Sequence, residues 1–200
     1  WSAYYHNFGS IEVDVFYVQN RILVAHEASE LDPKRSLEAL YLDPLKECLR
    51  KNQGYLDSDT TRKLQLMIDL KTEGASTLDA LVKLLHRYPE IIKSKFIQIL
   101  ISGNKPPVST FPNYPSFIYF DGNVEDTYSD KVLSKIAMLS GNFAEFAQWN
   151  GKGVLTLFEK HRLDSVIGRA HALGRRVRFW NAPDGINAWY QLMQLKVDWI

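Results

Sequence analysis

The sequence is poor in three features that would each place it in a class of protein. It has one cysteine in 200 residues, Cys48, so an internal disulfide or a zinc site built on paired cysteines is excluded. Its 24 Lys and Arg against 23 Asp and Glu leave a formal charge of +1, which provides no global field for nucleic acid or for an anionic membrane. No apolar run approaches the roughly 20 residues of a membrane-spanning helix. We therefore predict no nucleic-acid partner and no membrane span.

The composition is otherwise that of a globular protein. Hydrophobic residues make up 46% and charged residues 24% of the chain, and the length suits one domain or two small ones. The chain begins at Trp1 rather than Met, and residues 197–200 read as a strand with no turn or polar tail after it. We expect an internal piece of a longer protein, so the compartment stays open, export included.

Short apolar segments alternate with longer helical patterns along the chain. Strands are predicted at residues 11–16, 22–25, 66–70, 96–101, 116–120, 177–180 and 197–200. Helices are predicted from Ser36 to about Gly54, from an N-cap at Thr77 to before Pro89, at residues 130–139, 143–149 and 163–173, and from Pro183 to about Lys196. This alternation indicates βαβ units and a parallel sheet.

The predicted fold class is α/β, with an eight-stranded (β/α) TIM barrel as the first architecture and a doubly wound open sheet as its rival. Such barrels take about 250 residues, so this chain would be a single barrel domain over residues 1–200 that lacks part of both ends. The link between Val15 and Ile22 is too short for a helical crossover. It is either a local hairpin, or the two strands are not both barrel staves.

Acidic residues occur in strands that should be apolar if they are buried in a parallel sheet. Glu12 and Asp14 are two residues apart, so they share one face of a strand at about 7 Å. Two buried carboxylates at this spacing need a cation, and oxygen ligands suit Mg²⁺ or Ca²⁺. An ion pair with a neighbouring strand, or an exposed edge strand, would also explain them. Asp69, followed by Lys71, repeats the pattern at the end of another strand, where a strand-end turn with a solvated lysine is the plainer interpretation.

Histidine occurs once at a predicted strand end. His26 follows the apolar segment 22–25, and it is either a hydrogen-bonded core residue or a catalyst beside the acids. The four others fall on helical patterns or in a polar stretch, and we interpret them as structural or surface residues: His6, His86, His161 and His171.

Three further segments supply candidate ligand contacts. Arg178 and Trp180 share a strand face, which suits a phosphate oxygen and an apolar or polyol group, although a core Trp with an ion-paired Arg is equally consistent. Asn104 and Asp121 belong to Gly-bearing turns directly after strands, where the backbone can approach a ligand or simply make a tight βα turn.

Taken together, these motifs resemble the phosphatidylinositol phospholipase C-like phosphodiesterase superfamily, and within it the glycerophosphodiester phosphodiesterases and sphingomyelinase D type enzymes. The resemblance lies in the segments SIEVDVF, LVAHE, IDLK and RVRFW, in their order and spacing. It implies a (β/α)₈ barrel and one divalent cation, Mg²⁺ or Ca²⁺. By position, it implies metal ligands at Glu12, Asp14 and Asp69, a catalytic His26, a phosphate contact at Lys71 and a pocket wall at Trp180.

The family pairs this histidine with a second one on the strand before, and this chain starts too late to contain that strand. His6 lies only six positions before Glu12, which is too close to replace it. The predicted function is a monomeric, metal-dependent phosphodiester hydrolase acting on a glycerophosphodiester or related phospholipid-derived substrate by histidine acid/base catalysis. The alternatives are a non-catalytic barrel that binds a phosphorylated ligand and, third, another doubly wound hydrolase, although GxSxG and Walker motifs are absent.

Overall fold

The computed structural model describes all residues, Trp1–Ile200. The fold is mixed α/β, with seven strands of mostly parallel β-sheet. The chain divides into two compact units, Trp1–Tyr119 and Phe120–Ile200. The predicted α/β class is confirmed, while barrel closure and the single-domain assignment stay predictions.

The strands are β1 (Ser10–Val18), β2 (Arg21–Val24), β3 (Leu64–Leu70), β4 (Ile97–Gly103), β5 (Ile118–Asn123), β6 (Ile136–Asn142) and β7 (Arg176–Trp180). The α-helices are α1 (Ser2–Tyr5), α2 (Asp43–Lys51), α3 (Gly74–Leu85), α4 (Pro89–Ile92), α5 (Asp130–Leu133), α6 (Phe143–Phe146), α7 (Leu157–Ala172) and α8 (Ile186–Gln194). Short 3₁₀-helices cover Ala28–Glu30 and Val108–Asn113, and a π-helical turn, Glu38–Leu42, leads into α2. No helix is long and apolar enough to cross a membrane.

The first unit orders its strands β2-β1-β3-β4. β1 and β2 are antiparallel and form a hairpin through Gln19 and Asn20, whose φ angles are 50° and 62°. Two consecutive positive φ angles are typical of the type I′ turn, which matches the twist of the flanking strands. The short link is therefore a local hairpin, as one of the two interpretations proposed.

Parallel pairing of β1, β3 and β4 aligns side chains in rows across the sheet. Val13, Ile68 and Ile101 form one buried row, on the sheet face opposite to that of Asp14 and Asp69. α3 contacts β1, β2 and β3. Burying these branched side chains removes apolar surface from water, which stabilises the fold by about 25 cal/mol per Å². It also holds the acidic residues in register.

The second unit orders its strands β5-β6-β7, all parallel. The helix predicted at residues 130–139 is wrong beyond α5, because residues from Ile136 onward form β6. A short apolar run is ambiguous between helix and strand, and pairing of Met138 with Arg176 and of Leu139 with Val177 decides for the strand.

Two other predictions are wrong at element ends. Thr77 does not cap α3: the Glu73 carboxylate does, by accepting the N–H groups of Ala75 and Ser76, while Thr77 is buried one turn inside the helix. Residues 197–200 form only an isolated bridge, between Arg178 and Trp199, rather than a strand.

Candidate metal and catalytic site

Three carboxylates meet between the first half of β1 and the carboxyl end of β3. Glu12, Asp14 and Asp69 each offer one oxygen, and these oxygens lie within 4.8 Å of one another. The cause is the register: Asp14 pairs with Asp69, and Glu12 lies two residues earlier on the same face of β1. Asp14 and Asp69 are mostly shielded from solvent, with 19% and 16% of their side chains exposed. The acids predicted from separate strands are thus brought together.

Lys71 lies between two of these acids. Its Nζ is 3.2 Å from Asp14 Oδ1 and 3.2 Å from Asp69 Oδ1, and its backbone N–H donates to the Val15 carbonyl at 2.9 Å. Partial burial lowers the pKa of Lys71, but the hydrogen bonds and negative charges of the two aspartates outweigh it and the net pKa is raised. Lys71 is therefore a fixed cation at the centre of the cluster.

His26 occupies the other oxygen of Asp14. Its Nδ1 donates to Asp14 Oδ2 at 2.8 Å, while 76% of the side chain is exposed. The hydrogen bond and the charge of Asp14 raise the pKa of His26. Because Nδ1 is engaged, Nε2 is the ring nitrogen that faces outward for proton exchange.

The backbone at His26 and Glu27 is held by Glu30, a residue that the sequence did not predict as part of the site. Glu30 accepts the N–H groups of His26 and Glu27 at 3.1 and 3.2 Å, and it completes a capping box with Glu27 on the 3₁₀-helix Ala28–Glu30. The signal in the sequence is that Glu30 follows Glu27 by three residues, which is the spacing of a capping box.

The end of β4 supports Asp69 and Lys71. Ser102 Oγ donates to Asp69 Oδ2 at 3.3 Å, in the same cross-strand row. Gly103 has φ +72°, and a Cβ there would lie 2.4 Å from Asp69 Oδ1. The Asn104 amide donates to the Lys71 carbonyl at 3.0 Å. Asn104, predicted to contact substrate, thus also holds the backbone of Lys71.

The chemistry of the donor set fits one divalent cation. Three carboxylates carry a charge of −3, Lys71 contributes +1, and an ion of +2 would balance the remainder. All three donors are carboxylate oxygens, the class of ligand that Mg²⁺ and Ca²⁺ prefer. The Lys71 ammonium already bridges Asp14 and Asp69 at 3.2 Å, so two of the three carboxylates have a positive charge between them.

Three predicted substrate contacts lie in the second unit. Asp121 is buried and accepts a hydrogen bond from Ser140, a residue the sequence analysis did not identify. On β7, Arg178 is half-buried and Trp180 is exposed, while Val177 and Phe179, which alternate with them, are buried. The predicted shared face of Arg178 and Trp180 is therefore confirmed. Phe179 packs on Phe143 and Phe146 of the same unit.

Comparison with known proteins places a family match over the part of the chain that holds this cluster. Residues 1–91 match the AIM6-like phosphodiesterase domain. The chain is 34% identical over 88 residues to the Altered inheritance of mitochondria protein 6 homolog of Arthroderma benhamiae, covering 38% of this chain and 28% of that protein. It is 25% identical over 219 aligned positions to Altered inheritance of mitochondria protein 6 of Saccharomyces cerevisiae, covering 87% of this chain and 56% of that protein.

The chain spans between about a quarter and just over half of the length of the curated relatives it matches. No solved structure matches it. The matched residues contain Glu12, Asp14, His26, Asp69 and Lys71. The first 91 residues, with the whole acidic cluster, are therefore similar to a phosphodiesterase-like family.

Proposed function

We propose that this chain carries the site of a metal-dependent phosphodiester hydrolase acting on a glycerophosphodiester or related phospholipid-derived substrate. The observation that carries the proposal is the convergence of three carboxylates, within 4.8 Å of one another, with a lysine and a histidine on the same aspartate. The match of residues 1–91 to a phosphodiesterase-like family supports the same class of reaction. The (β/α) barrel remains the architecture that we propose for the complete protein.

Glu12, Asp14 and Asp69 would hold one Mg²⁺ or Ca²⁺. Such an ion supplies Lewis-acid stabilisation of phosphate charge when bound. Lys71 holds its ammonium group beside Asp14 and Asp69, where it would donate to a non-bridging phosphate oxygen. The two cations together would favour the extra negative charge that the phosphorus centre gains in the transition state.

His26 would exchange the proton. Asp14 holds the imidazole through Nδ1, which directs Nε2 toward a substrate oxygen, as in other carboxylate-histidine pairs. In one direction Nε2 protonates the leaving alcohol oxygen, and in the other it accepts the proton of the attacking hydroxyl or water. A second histidine would take the opposite role in the family's scheme, and this chain brings only His26 to the cluster.

The cluster also suits a second candidate, a non-catalytic protein that binds a phosphorylated ligand through the same residues. The metal and Lys71 would suffice to bind phosphate, whereas general acid and base steps contribute typically 10²–10⁴-fold to a rate. The two candidates differ in turnover and agree on metal binding.

The test is hydrolysis of bis(p-nitrophenyl) phosphate by the full-length protein with Mg²⁺ or Ca²⁺. Metal-dependent turnover that falls by about a hundredfold or more in Asp14→Asn is the expected result, since the change removes a metal ligand and the anchor of His26. Asp164→Asn, at an exposed aspartate on α7, is the matched control and should keep full activity. Unchanged turnover in Asp14→Asn would refute the enzyme. No turnover, with a metal-dependent rise in melting temperature, would favour the binding protein instead.

A further inference from the structure

The imidazole of His26 is held at the acidic cluster with little help from packing. Its side chain is 76% exposed, and the residue lies just beyond β2, which ends at Val24. The hydrogen bond of the ring joins Nδ1 to Asp14 Oδ2 at 2.8 Å. Because no core surrounds the ring, the direction in which it points is set by the main chain that carries it.

Two hydrogen bonds fix that main chain. The Ala25 N–H donates to the carbonyl of Asp14 at 3.3 Å, which ties the end of β2 to β1. The His26 N–H donates to Glu30 Oε2 at 3.1 Å, and the same oxygen accepts the Glu27 N–H at 3.2 Å. Glu30 is therefore the side chain that holds the main chain at His26.

Glu30 is itself held in place by the short 3₁₀-helix that it ends. Its N–H donates to the Glu27 carbonyl at 3.0 Å, and the Glu27 carboxylate completes the capping box. Hydrogen bonds to an ionised acceptor are roughly twice as strong as those between neutral groups. The loop thus presents a preformed carboxylate to the N–H groups that follow the strand.

We infer that Glu30 is a positioning residue of the proposed active site, because it fixes the main chain from which His26 reaches Asp14. Its effect on catalysis rests on the proposed function, whereas the geometry of His26 can be measured without any reaction. A displacement of about 1 Å in a reacting group can lower a rate by about 10²-fold. The Glu30 carboxylate bonds to backbone N–H groups, so its loss should leave the carboxylate cluster intact.

The kinetic test compares Glu30→Ala and Glu30→Gln with the natural full-length protein on bis(p-nitrophenyl) phosphate. Glu30 is exposed, so both variants should fold. Glu30→Ala should lower kcat by about tenfold or more and leave KM within about twofold. Glu30→Gln should recover most of the loss, since the amide oxygen still accepts the His26 N–H. Asp32→Ala is the matched control, because Asp32 accepts the Lys34 N–H at 2.8 Å in the same loop, and it should keep full activity.

The geometry test uses the same four proteins with isotope-labelled histidine, without metal and in alkaline buffer where the ring is neutral. A long-range proton–nitrogen correlation spectrum shows which ring nitrogen carries the proton, and the His26 signal is the one missing from His26→Gln. In the natural protein Nδ1 should carry it, as the hydrogen bond to Asp14 requires. Glu30→Ala should shift the signal toward a mixture of both tautomers, while Glu30→Gln and Asp32→Ala should not.

An unchanged kcat in Glu30→Ala, or a proton that stays on Nδ1 in this variant, would overturn the inference. An equal loss of kcat in Glu30→Gln would also overturn it, since the hydrogen bond would then not be what matters. If the natural protein turns over no phosphodiester, the proposed function fails. The tautomer of His26 in Glu30→Ala then decides by itself whether Glu30 positions the ring.

Discussion

Gly103→Ala tests the claim that the end of β4 shapes the acidic cluster. Gly103 has φ +72°, and a Cβ at this position would lie 2.4 Å from Asp69 Oδ1, 2.6 Å from the Leu70 carbonyl oxygen and 2.8 Å from the Leu70 nitrogen. Two costs follow. The left-handed backbone conformation costs alanine about 1–2 kcal/mol, and overpacking against fixed backbone costs about 1–3 kcal/mol.

Gly174→Ala separates these two costs. Gly174 has a similar φ of +66°, but a Cβ there would meet nothing within 4 Å. A smaller entropy in the unfolded chain offsets about 0.4–1 kcal/mol of the strain, so we expect a net loss of about 1 kcal/mol for Gly174→Ala and about 2–4 kcal/mol for Gly103→Ala. For a chain of this size each kcal/mol lowers the melting temperature by about 2–4 °C.

The assay is thermal unfolding of both variants with and without Ca²⁺. Gly103→Ala should melt below Gly174→Ala in the absence of metal, and it should also lose most of the stabilisation by Ca²⁺, because Asp69 must move away from the added methyl group. Gly174→Ala should keep the full Ca²⁺ effect. Equal melting temperatures and equal Ca²⁺ effects in the two variants would refute the packing of Gly103 against Asp69.

Three further results are expected. Lys71→Met should tighten Ca²⁺ binding in a calorimetric titration, because the competing ammonium is removed, while it lowers any turnover by about tenfold or more; weaker Ca²⁺ binding would contradict the charge argument. The Thr156 hydroxyl and backbone hold the pKa of Glu159 below its usual 4.5, so its contribution to stability is complete above that value and is lost as the pH falls through the lower folded pKa. The melting temperature of the natural protein should therefore exceed that of Glu159→Gln at neutral pH and approach it in acid, and a gap that widens in acid would refute the assignment. The losses of kcat/KM caused by Asp14→Asn and by His26→Ala should be non-additive, because either change alone already disables the step that both residues serve. Additive losses would show that the two residues act separately.

The sequence predicts the Glu12 and Asp14 part of the acidic cluster well because the rule it depends on is local. Side chains alternate along a strand, so Glu12 and Asp14 must share a face. The predicted hairpin, one of two interpretations, follows from the link between Val15 and Ile22, which is too short for a helical crossover. In each case the spacing alone carries the prediction.

Other elements could not be predicted from local rules. β6 reads equally well as the end of a helix, and its pairing with β7, 38 residues later in the chain, decides its structure. A repeated motif offered a signal: Ser140 to Asn142 has the same sequence as Ser102 to Asn104, which ends β4. Thr77 was a plausible cap in sequence, but Glu73 lies at the first turn after β3 and has a longer side chain that reaches two N–H groups.

Asp14 shows why ligands are easier to predict than the residues that support them. Its two oxygens have different partners, Lys71 on Oδ1 and His26 on Oδ2, so one carboxylate orients both the cation and the proton carrier. A carboxylate in a strand is conspicuous because it is costly to bury. Ser102 and Gly103 are ordinary turn residues in sequence, and only the parallel register that sets them beside Asp69 makes them part of the site. The residues that bear charge can therefore be identified from one segment, whereas those that hold the charge in place depend on segments about 30 residues apart.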